Sequence, residues 1–249
     1  MTHIDQAVSL SINSWVTIKN LNLLIEILKT QNDTISAQLK DLQEQVEEQN
    51  NTIDNKDMQI VKLKSQLEEI KKIKKLEENP PSSCIPFGSS AGVHRIKTLG
   101  NDSFDVLCDS QTAGDGWTVI QQRLDGKENF TRNWDAYRNG FGSFDGDFFL
   151  GLEKIHHLTS ERRHILHIHM EDFNGTIHFV QYDHFNVSSV DELYELNRLG
   201  QFSGNTTYNT LRMHINQKFT TYDRDNDISG SYNCADHNGG WWYTSCVHA

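Results

Sequence analysis

A heptad repeat runs without interruption from residue 18 to residue 77, and it limits what this chain can fold into more than any other feature. Thirteen of its eighteen a and d positions are apolar, and neither Pro nor Gly occurs within it. About three or four such heptads suffice to indicate a coiled coil. The a positions are Ile18, Ile25, Asn32, Leu39, Val46, Ile53, Ile60, Leu67 and Lys74, and the d positions are Leu21, Leu28, Ile35, Leu42, Gln49, Lys56, Leu63, Ile70 and Glu77.

The repeat predicts a coiled coil over residues 15–78 that associates with copies of itself, because one helix alone cannot bury an apolar seam. Leu39 at an a position and Ile35 at a d position leave the choice between dimer and trimer open. A long helix packed against its own chain is the alternative. Asn32 lies at an a position, where a polar side chain fixes the register. A glycan there would split the seam, so we expect Asn32 to be unmodified.

The helix is expected to end before Pro80, because Pro blocks a helix and restricts the residue that precedes it. The sequence therefore divides into an unassigned segment 1–14, the coiled coil 15–78, a Pro/Ser linker 79–83 and a globular domain 84–249. Mixed strands and helices without a βαβ rhythm predict an α+β fold for that domain. The predicted strands are 104–108, 117–123, 164–170, 176–182 and 210–215, and the predicted helices are 134–139 and 150–157.

Charge and composition narrow the class of protein. The chain has 23 basic and 34 acidic residues, a formal net charge of −11, which argues against nucleic acid as a partner. No run approaches the roughly 18 apolar residues of a membrane helix, and no signal peptide is visible. Sequons and an even set of cysteines nonetheless favour a secreted, extracellular protein whose natural start lies upstream. Besides Asn32 and Asn50 in the repeat, the sequons that we consider glycosylation candidates begin at Asn101, Asn129, Asn174, Asn186 and Asn205.

Zinc binding is an alternative interpretation of two groups of residues, the four cysteines and a pair of histidines. The four cysteines, Cys84, Cys108, Cys234 and Cys246, form two local groups, as extracellular disulfides usually do, and lack the C-x-x-C spacing of zinc sites. His167 and His169 share one face of a predicted strand, which is a common zinc arrangement. The apolar residues between and around them favour an ordinary strand instead.

Residues 222–246 hold two cysteines, a Gly-Gly turn, three consecutive aromatics and three alternating aspartates, Asp223, Asp225 and Asp227. Alternate carboxylates on a tight turn converge on one point, and Ca²⁺ takes about six to eight oxygen ligands. The segment is not an EF-hand, because Ile228 and Cys234 stand where that loop needs Gly and Glu. A polar surface turn without an ion is the alternative.

Five segments of the globular part carry distinctive motifs: CIPFGSSAGVHRIKTLGNDSFDVLCD from Cys84, GWTVIQQR from Gly116, NWDAYRNGFG from Asn133, FFLGLEKIHHLT from Phe148 and NCADHNGGWWYTSC from Asn233. In this order they resemble the fibrinogen C-terminal domain of ficolins, tachylectin-like lectins and angiopoietin-like proteins, over residues 84–249. The resemblance implies an α+β domain with a mixed, mainly antiparallel sheet and short helices. It also implies a secreted recognition protein without catalytic activity.

The resemblance further implies disulfides joining Cys84 to Cys108 and Cys234 to Cys246, with one Ca²⁺ beside the second. Two residues match the ligating aspartates of the family, Asp225 and Asp227. Backbone carbonyls near Ser229 and Ser231 would complete the site, and Asp223 would be a turn residue. ISGSYN is one residue longer than the usual spacing, which affects the carbonyl positions.

Acetyl-binding members have a ligand pocket beside the second disulfide, with a cis peptide before the last cysteine. The matching candidates are His237, Trp242, Tyr243, Ser245 and Cys246. This sequence departs from the pattern, because its loop between the cysteines is one residue shorter and Val247 replaces a histidine. The family also continues beyond the position of Ala249, so we expect a domain that is incomplete at its C-terminal end.

Three functions are consistent with these features. The first is an oligomeric, Ca²⁺-dependent lectin of innate recognition that binds acetylated or other glycans. The second is an angiopoietin-like signalling ligand that binds a cell-surface receptor. The third is a truncated assembly subunit that binds no ligand. None of the three is an enzyme.

Overall fold

A long helix precedes the globular part. The structure, a computed structural model, describes residues 3–99 and 103–246, with side chains for residues 15, 17–76, 78–99 and 103–246. It divides into two compact units, Met1–Ile73 and Lys74–Ala249. Helix α1, His3–Glu78, ends just before Pro80 and is consistent with a coiled coil. Its seam residues are open to solvent, with Ile18 57% and Leu39 56% exposed. No helix in the described residues is long and apolar enough to cross a membrane.

The second unit mixes short strands with short helices, which is the predicted α+β class. Its strands are β1 Gly92–Ile96, β2 Phe104–Asp109, β3 Trp117–Val119, β4 Gln121–Gln122, β5 Phe141–Gly142, β6 Phe148–Phe149, β7 His164–Glu171, β8 Ile177–Val187, β9 Leu196–Leu199 and β10 Phe202–Gly204. Its helices are α2 Trp134–Asn139, α3 Leu152–Ser160 and α4 Ala235–Asn238, with 3₁₀ turns at Ile85–Phe87, Val190–Glu192 and Thr210–His214.

The strands form three antiparallel sheets. Strands β1, β2 and β3 form the first, in that order, and β4, β6 and β5 form the second. In the third sheet β8 lies between β10 and β7 and also pairs with β9. The disulfide between Cys84 and Cys108 joins the start of the domain to β2, with 5.6 Å between the Cα atoms.

The core is rich in aromatic rings. Tyr137 of α2 lies 5.1 Å from Phe219 and 5.2 Å from Phe149, measured between ring centroids. On β8, Val180 and Tyr182 are buried at alternate positions, as expected for a strand with one face on the core. The chain segment after Phe219 is therefore attached to a rigid, close-packed support.

Several predicted elements differ from the structure. Residues 210–215 were expected to form a strand, but Thr210–His214 is a 3₁₀ turn that buries Leu211 and His214 at a spacing of three. The predicted strand 117–123 is interrupted at Ile120, whose carbonyl accepts a hydrogen bond from Leu150 at 2.9 Å. Strand β8 continues to Val187, and α3 begins at Leu152 rather than at residue 150. The interrupting contacts join residues distant in the sequence, which local patterns cannot show.

Candidate functional site

The segment of residues 222–246, here called the acidic loop, folds onto the core through a short β-bridge. The Thr220 N–H donates to the Trp241 carbonyl at 2.9 Å, and the Trp241 N–H donates back at 3.1 Å. At Gly240 the backbone approaches the core so closely that a Cβ atom would lie 2.7 Å from the rings of Phe219 and Tyr137. A disulfide joins Cys234 to Cys246. The two ends of the acidic loop are thus fixed independently of any ligand.

Asp227 holds the middle of the acidic loop together. Its Oδ1 accepts from the Ser229 N–H and its Oδ2 accepts from the Cys234 N–H, both at 2.8 Å. Asp225 Oδ1 in turn accepts from the Asp227 N–H at 3.2 Å, and the hydroxyls of Ser229 and Ser231 lie 3.5 Å apart. The structure therefore brings all four predicted metal-site residues into one turn.

The chemistry of this turn fits a hard cation better than a soft one. Among the described residues, one group of three possible metal-binding side chains occurs, namely Asp227 with Cys234 and Cys246. Both sulfurs belong to the disulfide, so neither is a thiolate that could bind zinc or copper(I). What remains is the Asp227 carboxylate, the exposed Asp225 carboxylate and neutral oxygens, the donor types that Ca²⁺ prefers.

Asp223 has a different position from the other two aspartates. Its Oδ1 accepts from the Trp134 N–H at 2.9 Å and from the Thr221 hydroxyl at 2.8 Å. The guanidinium of Arg224 lies over the Trp134 ring at 4.2 Å. Asp223 thus connects the acidic loop to the first turn of α2, which is a structural role.

Two of the predicted ligand-binding aromatics are part of the interior. Trp242 is 5% exposed, and its Nε1–H donates to the Tyr194 carbonyl at 2.7 Å. Tyr243 is 7% exposed, and its hydroxyl donates to the Gly239 carbonyl at 2.9 Å. Burial raises the pKa of Tyr243 to about 12. The sequence alone could not separate core from pocket wall, and the structure assigns both rings to the core.

The remaining ligand-binding candidates lie at the outer side of the acidic loop. His237 on α4 and Ser245 are exposed, and Cys246 is half-buried. The expected cis peptide before Cys246 is absent, since the described residues contain no cis peptide bond. The chain turns instead through a left-handed backbone at Cys246, with φ of 50°.

Two asparagines that support the acidic loop were not identified from the sequence. Asn226 Nδ2 donates to the Phe219 carbonyl at 2.7 Å. Asn233 Nδ2 donates to the Thr221 carbonyl at 2.9 Å. Asn is common in turns because its side chain bonds to nearby backbone, but both contacts here span at least seven residues. The polar, Asn-rich composition was the available signal, and it does not specify the partner.

The sequons of the globular unit differ in how their side-chain amides are used. Asn129 and Asn174 are exposed, and neither donates an Nδ2 hydrogen bond within the described residues. In contrast, Asn186 Nδ2 donates to the Thr159 carbonyl and Asn205 Nδ2 donates to the Ile177 carbonyl, each at 2.9 Å. Asn101 lies outside the described residues. A glycan is attached to Nδ2. In the folded chain this atom is therefore more accessible to glycosylation in Asn129 and Asn174 than in Asn186 and Asn205.

Small antiparallel sheets, short helices and two local disulfides, with an acidic loop framed by the second of them, define a disulfide-stabilised α+β domain of fibrinogen-like type. The sequence profile described as "Fibrinogen beta and gamma chains, C-terminal globular domain" matches residues 86–249. The chain therefore belongs to the fibrinogen C-terminal domain family, which confirms the resemblance seen in the sequence.

Several curated and solved proteins are similar to this chain. Mouse angiopoietin-related protein 6 is 39% identical over 197 residues, which cover 70% of this chain and 42% of that protein. Human ficolin-3 is 44% identical over 145 residues, which cover 58% and 48%. The fibrinogen-like globe domain of human ANGPTL2 superposes with a TM-score of 0.65 at 38% identity, covering 68% of this chain and 80% of that one. The chain thus spans less than half the length of these two curated relatives.

Proposed function

We propose that this chain is a secreted, oligomeric recognition protein whose acidic loop binds Ca²⁺ and whose adjacent surface binds an acetylated or other glycan. The proposal rests on the position of the Asp227 carboxylate, whose two oxygens accept hydrogen bonds from the Ser229 and Cys234 N–H groups at 2.8 Å. This places a fixed negative charge beside the disulfide, with the exposed Asp225 next to it. Similarity to ficolin-3 and to angiopoietin-related proteins supports a recognition role.

Asp225 and Asp227 would be the carboxylate ligands, and backbone oxygens near Ser229 and Ser231 would add neutral ones. Each Asp227 oxygen accepts one N–H in the structure and retains a further acceptor site. When bound, the ion would offset the charge of two carboxylates that are close together. The acidic loop would consequently be most ordered with Ca²⁺ present.

Calcium binding is tested by thermal unfolding with Ca²⁺ and with EDTA. At a concentration of about 100 Kd, a ligand stabilises the folded state by about 2.7 kcal/mol. For a domain of this size that is a rise in Tm of about 5–10 °C. Asp227→Ala and Asp225→Ala should abolish the rise, whereas Asp236→Ala, an exposed aspartate of the same loop, should retain it. A rise that survives in both ligand variants would refute the site.

Glycan binding is tested on an array of N-acetylated and other sugars, with Ca²⁺ and with EDTA. Binding that requires Ca²⁺ and is lost in Asp227→Ala supports the lectin function. Absence of binding in both conditions would contradict it. Direct binding to a cell-surface receptor protein would then favour the signalling function, to which the angiopoietin-related relatives point.

Oligomerisation would give several weak sites a high combined affinity. The apolar seam of α1 supports it, because residues such as Leu39 and Ile53 are more than half exposed in one chain. Sedimentation should give a multiple of 28.6 kDa. Leu39→Asp should reduce that multiple, whereas Lys40→Ala at the neighbouring outward position should not. A monomeric native protein would contradict the proposal.

A further inference from the structure

A second candidate metal site lies away from the acidic loop, on strand β7. His167 and His169 project from the same face of β7, because residues two apart in a strand share a face. Their rings are stacked, with centroids 6.5 Å apart and planes at 27°. Both rings line a cavity of about 760 Å³, which Trp117 and Asp109 also line.

The ring of His167 is fixed on three sides. Gln181, directly opposite on β8, places its side-chain amide 3.0 Å from Nδ1. The Phe179 ring stacks on it at 5.7 Å, and the Trp117 ring lies at 5.4 Å. Nε2 is buried and has no hydrogen-bond partner within the described residues. A buried polar atom without a partner requires an explanation, since most such atoms are satisfied.

We propose that His167 Nε2 and a ring nitrogen of His169 bind one transition-metal ion of the zinc type. A tetrahedral ion with zinc–nitrogen distances of about 2.0 Å would place the two ring centres about 5 Å apart. The ring of His169 must therefore approach that of His167 by somewhat more than an ångström and also turn out of the stacked arrangement, because a metal ion lies in the plane of each imidazole that binds it. His169 is exposed and can make that movement, while His167 stays in place.

Gln181 would orient the site. The oxygen and nitrogen of an amide exchange places by a half-turn of the group. With its oxygen toward the ring, Gln181 accepts from Nδ1–H, and the Nε2 lone pair is left free to bind metal. Histidine ligands commonly donate their other N–H in this manner, which fixes the ring and its tautomer. Gln181 is thus a positioning residue and not a ligand.

The site offers two protein ligands. No third His, Cys, Asp or Glu joins the pair at ligand distance in the described residues. The Asp109 carboxylate interacts electrostatically with His167 but is engaged by the N–H groups of Gln111 and Thr112 at 3.1 Å. Water would fill the remaining positions, so the affinity falls in the micromolar range rather than the much tighter range of closed sites.

Calorimetric titration of the full chain with zinc chloride, after treatment with chelator, tests the proposal. We expect one ion per chain and a loss of affinity of at least about tenfold in His167→Gln and in His169→Gln. His178→Gln, on the other face of the same hairpin beside Asp172, should bind as the native protein does. Because His169 is exposed, its variant keeps the test valid even if His167→Gln unfolds.

The positioning role has its own comparison. Gln181→Ala should weaken zinc binding by about 10-fold or more, whereas Gln181→Glu should retain it, because a carboxylate also accepts from Nδ1–H. Undiminished zinc binding in His169→Gln, or no stoichiometric zinc binding by the native protein, would overturn the site. Equal behaviour of the two Gln181 variants would overturn the role of Gln181.

Discussion

Asp223 and Asp227 belong to the same alternating series, yet their substitution should have different effects. Asp223→Ala removes the acceptor of the Trp134 N–H at the start of α2 and of the Thr221 hydroxyl. Loss of an acceptor at a helix N-terminus costs about 1–2 kcal/mol. For a domain of this size, 1 kcal/mol corresponds to about 2–4 °C in Tm. We expect Asp223→Ala to lower the Tm by about 2–8 °C, equally with Ca²⁺ and with EDTA.

The measurement is thermal unfolding followed by circular dichroism under both conditions. Asp236→Ala serves as the matched control and should leave the Tm within about 1 °C of the native value, as expected for a surface position. A calcium-dependent rise in Tm that persists in Asp223→Ala but is lost in Asp227→Ala would support the two roles. If the Asp223 variant loses the rise as well, Asp223 is a ligand and the division between the two aspartates is wrong.

Two further predictions concern glycosylation and pH. Peptide mass spectrometry of the chain secreted from mammalian cells should find glycan on Asn174 and little on Asn186, because Asn186 Nδ2 donates to the Thr159 carbonyl. More glycan on Asn186 than on Asn174 would contradict this prediction. The Leu124 N–H lowers the pKa of Asp147 by donating to its carboxylate. The Asp147 carboxylate therefore stabilises the folded state at pH values above about 3.9, the pKa of an aspartate in the unfolded chain. This stabilisation is lost as the pH falls through the lower pKa that Asp147 has in the folded chain. Asp147→Asn should therefore be less stable than the native protein at pH 7, with a difference that shrinks below about pH 4; a difference independent of pH would refute this cause.

Local patterns in the sequence were sufficient where one face of an element meets the core. Strand β2 alternates buried and outward residues, and α2 has the predicted bounds, with the Asn133 side chain capping its N-terminus in the structure. They were insufficient for Thr210–His214, whose alternating apolar residues suggest a strand. Its conformation is set by a tertiary contact, in which a ring nitrogen of the buried His214 lies 2.8 Å from the Trp242 carbonyl.

The candidate site shows the same difference between features set by neighbours in sequence and features set by distant residues. The proximity of Asp225 and Asp227 could be predicted from the sequence because both lie in one turn, where neighbours in sequence are neighbours in space. The buried position of Trp242 could not be predicted, because its indole N–H donates to the carbonyl of Tyr194, a residue far earlier in the chain. An aromatic residue beside a disulfide has the same appearance in sequence whether it faces solvent or the core.

This arrangement also explains why family membership does not identify the ligand. The inner side of the acidic loop is fixed by buried contacts, such as Trp242 to Tyr194, while its outer side presents exposed residues such as Asp225 and His237. Substitution on the outer side leaves the buried contacts intact, so it would change the surface offered to a ligand at little cost in stability. The fold of this domain is therefore compatible with several ligands. Under the proposed function, the ligand of this chain would depend on the few exposed side chains around Asp225, and the calcium and glycan experiments address those side chains directly.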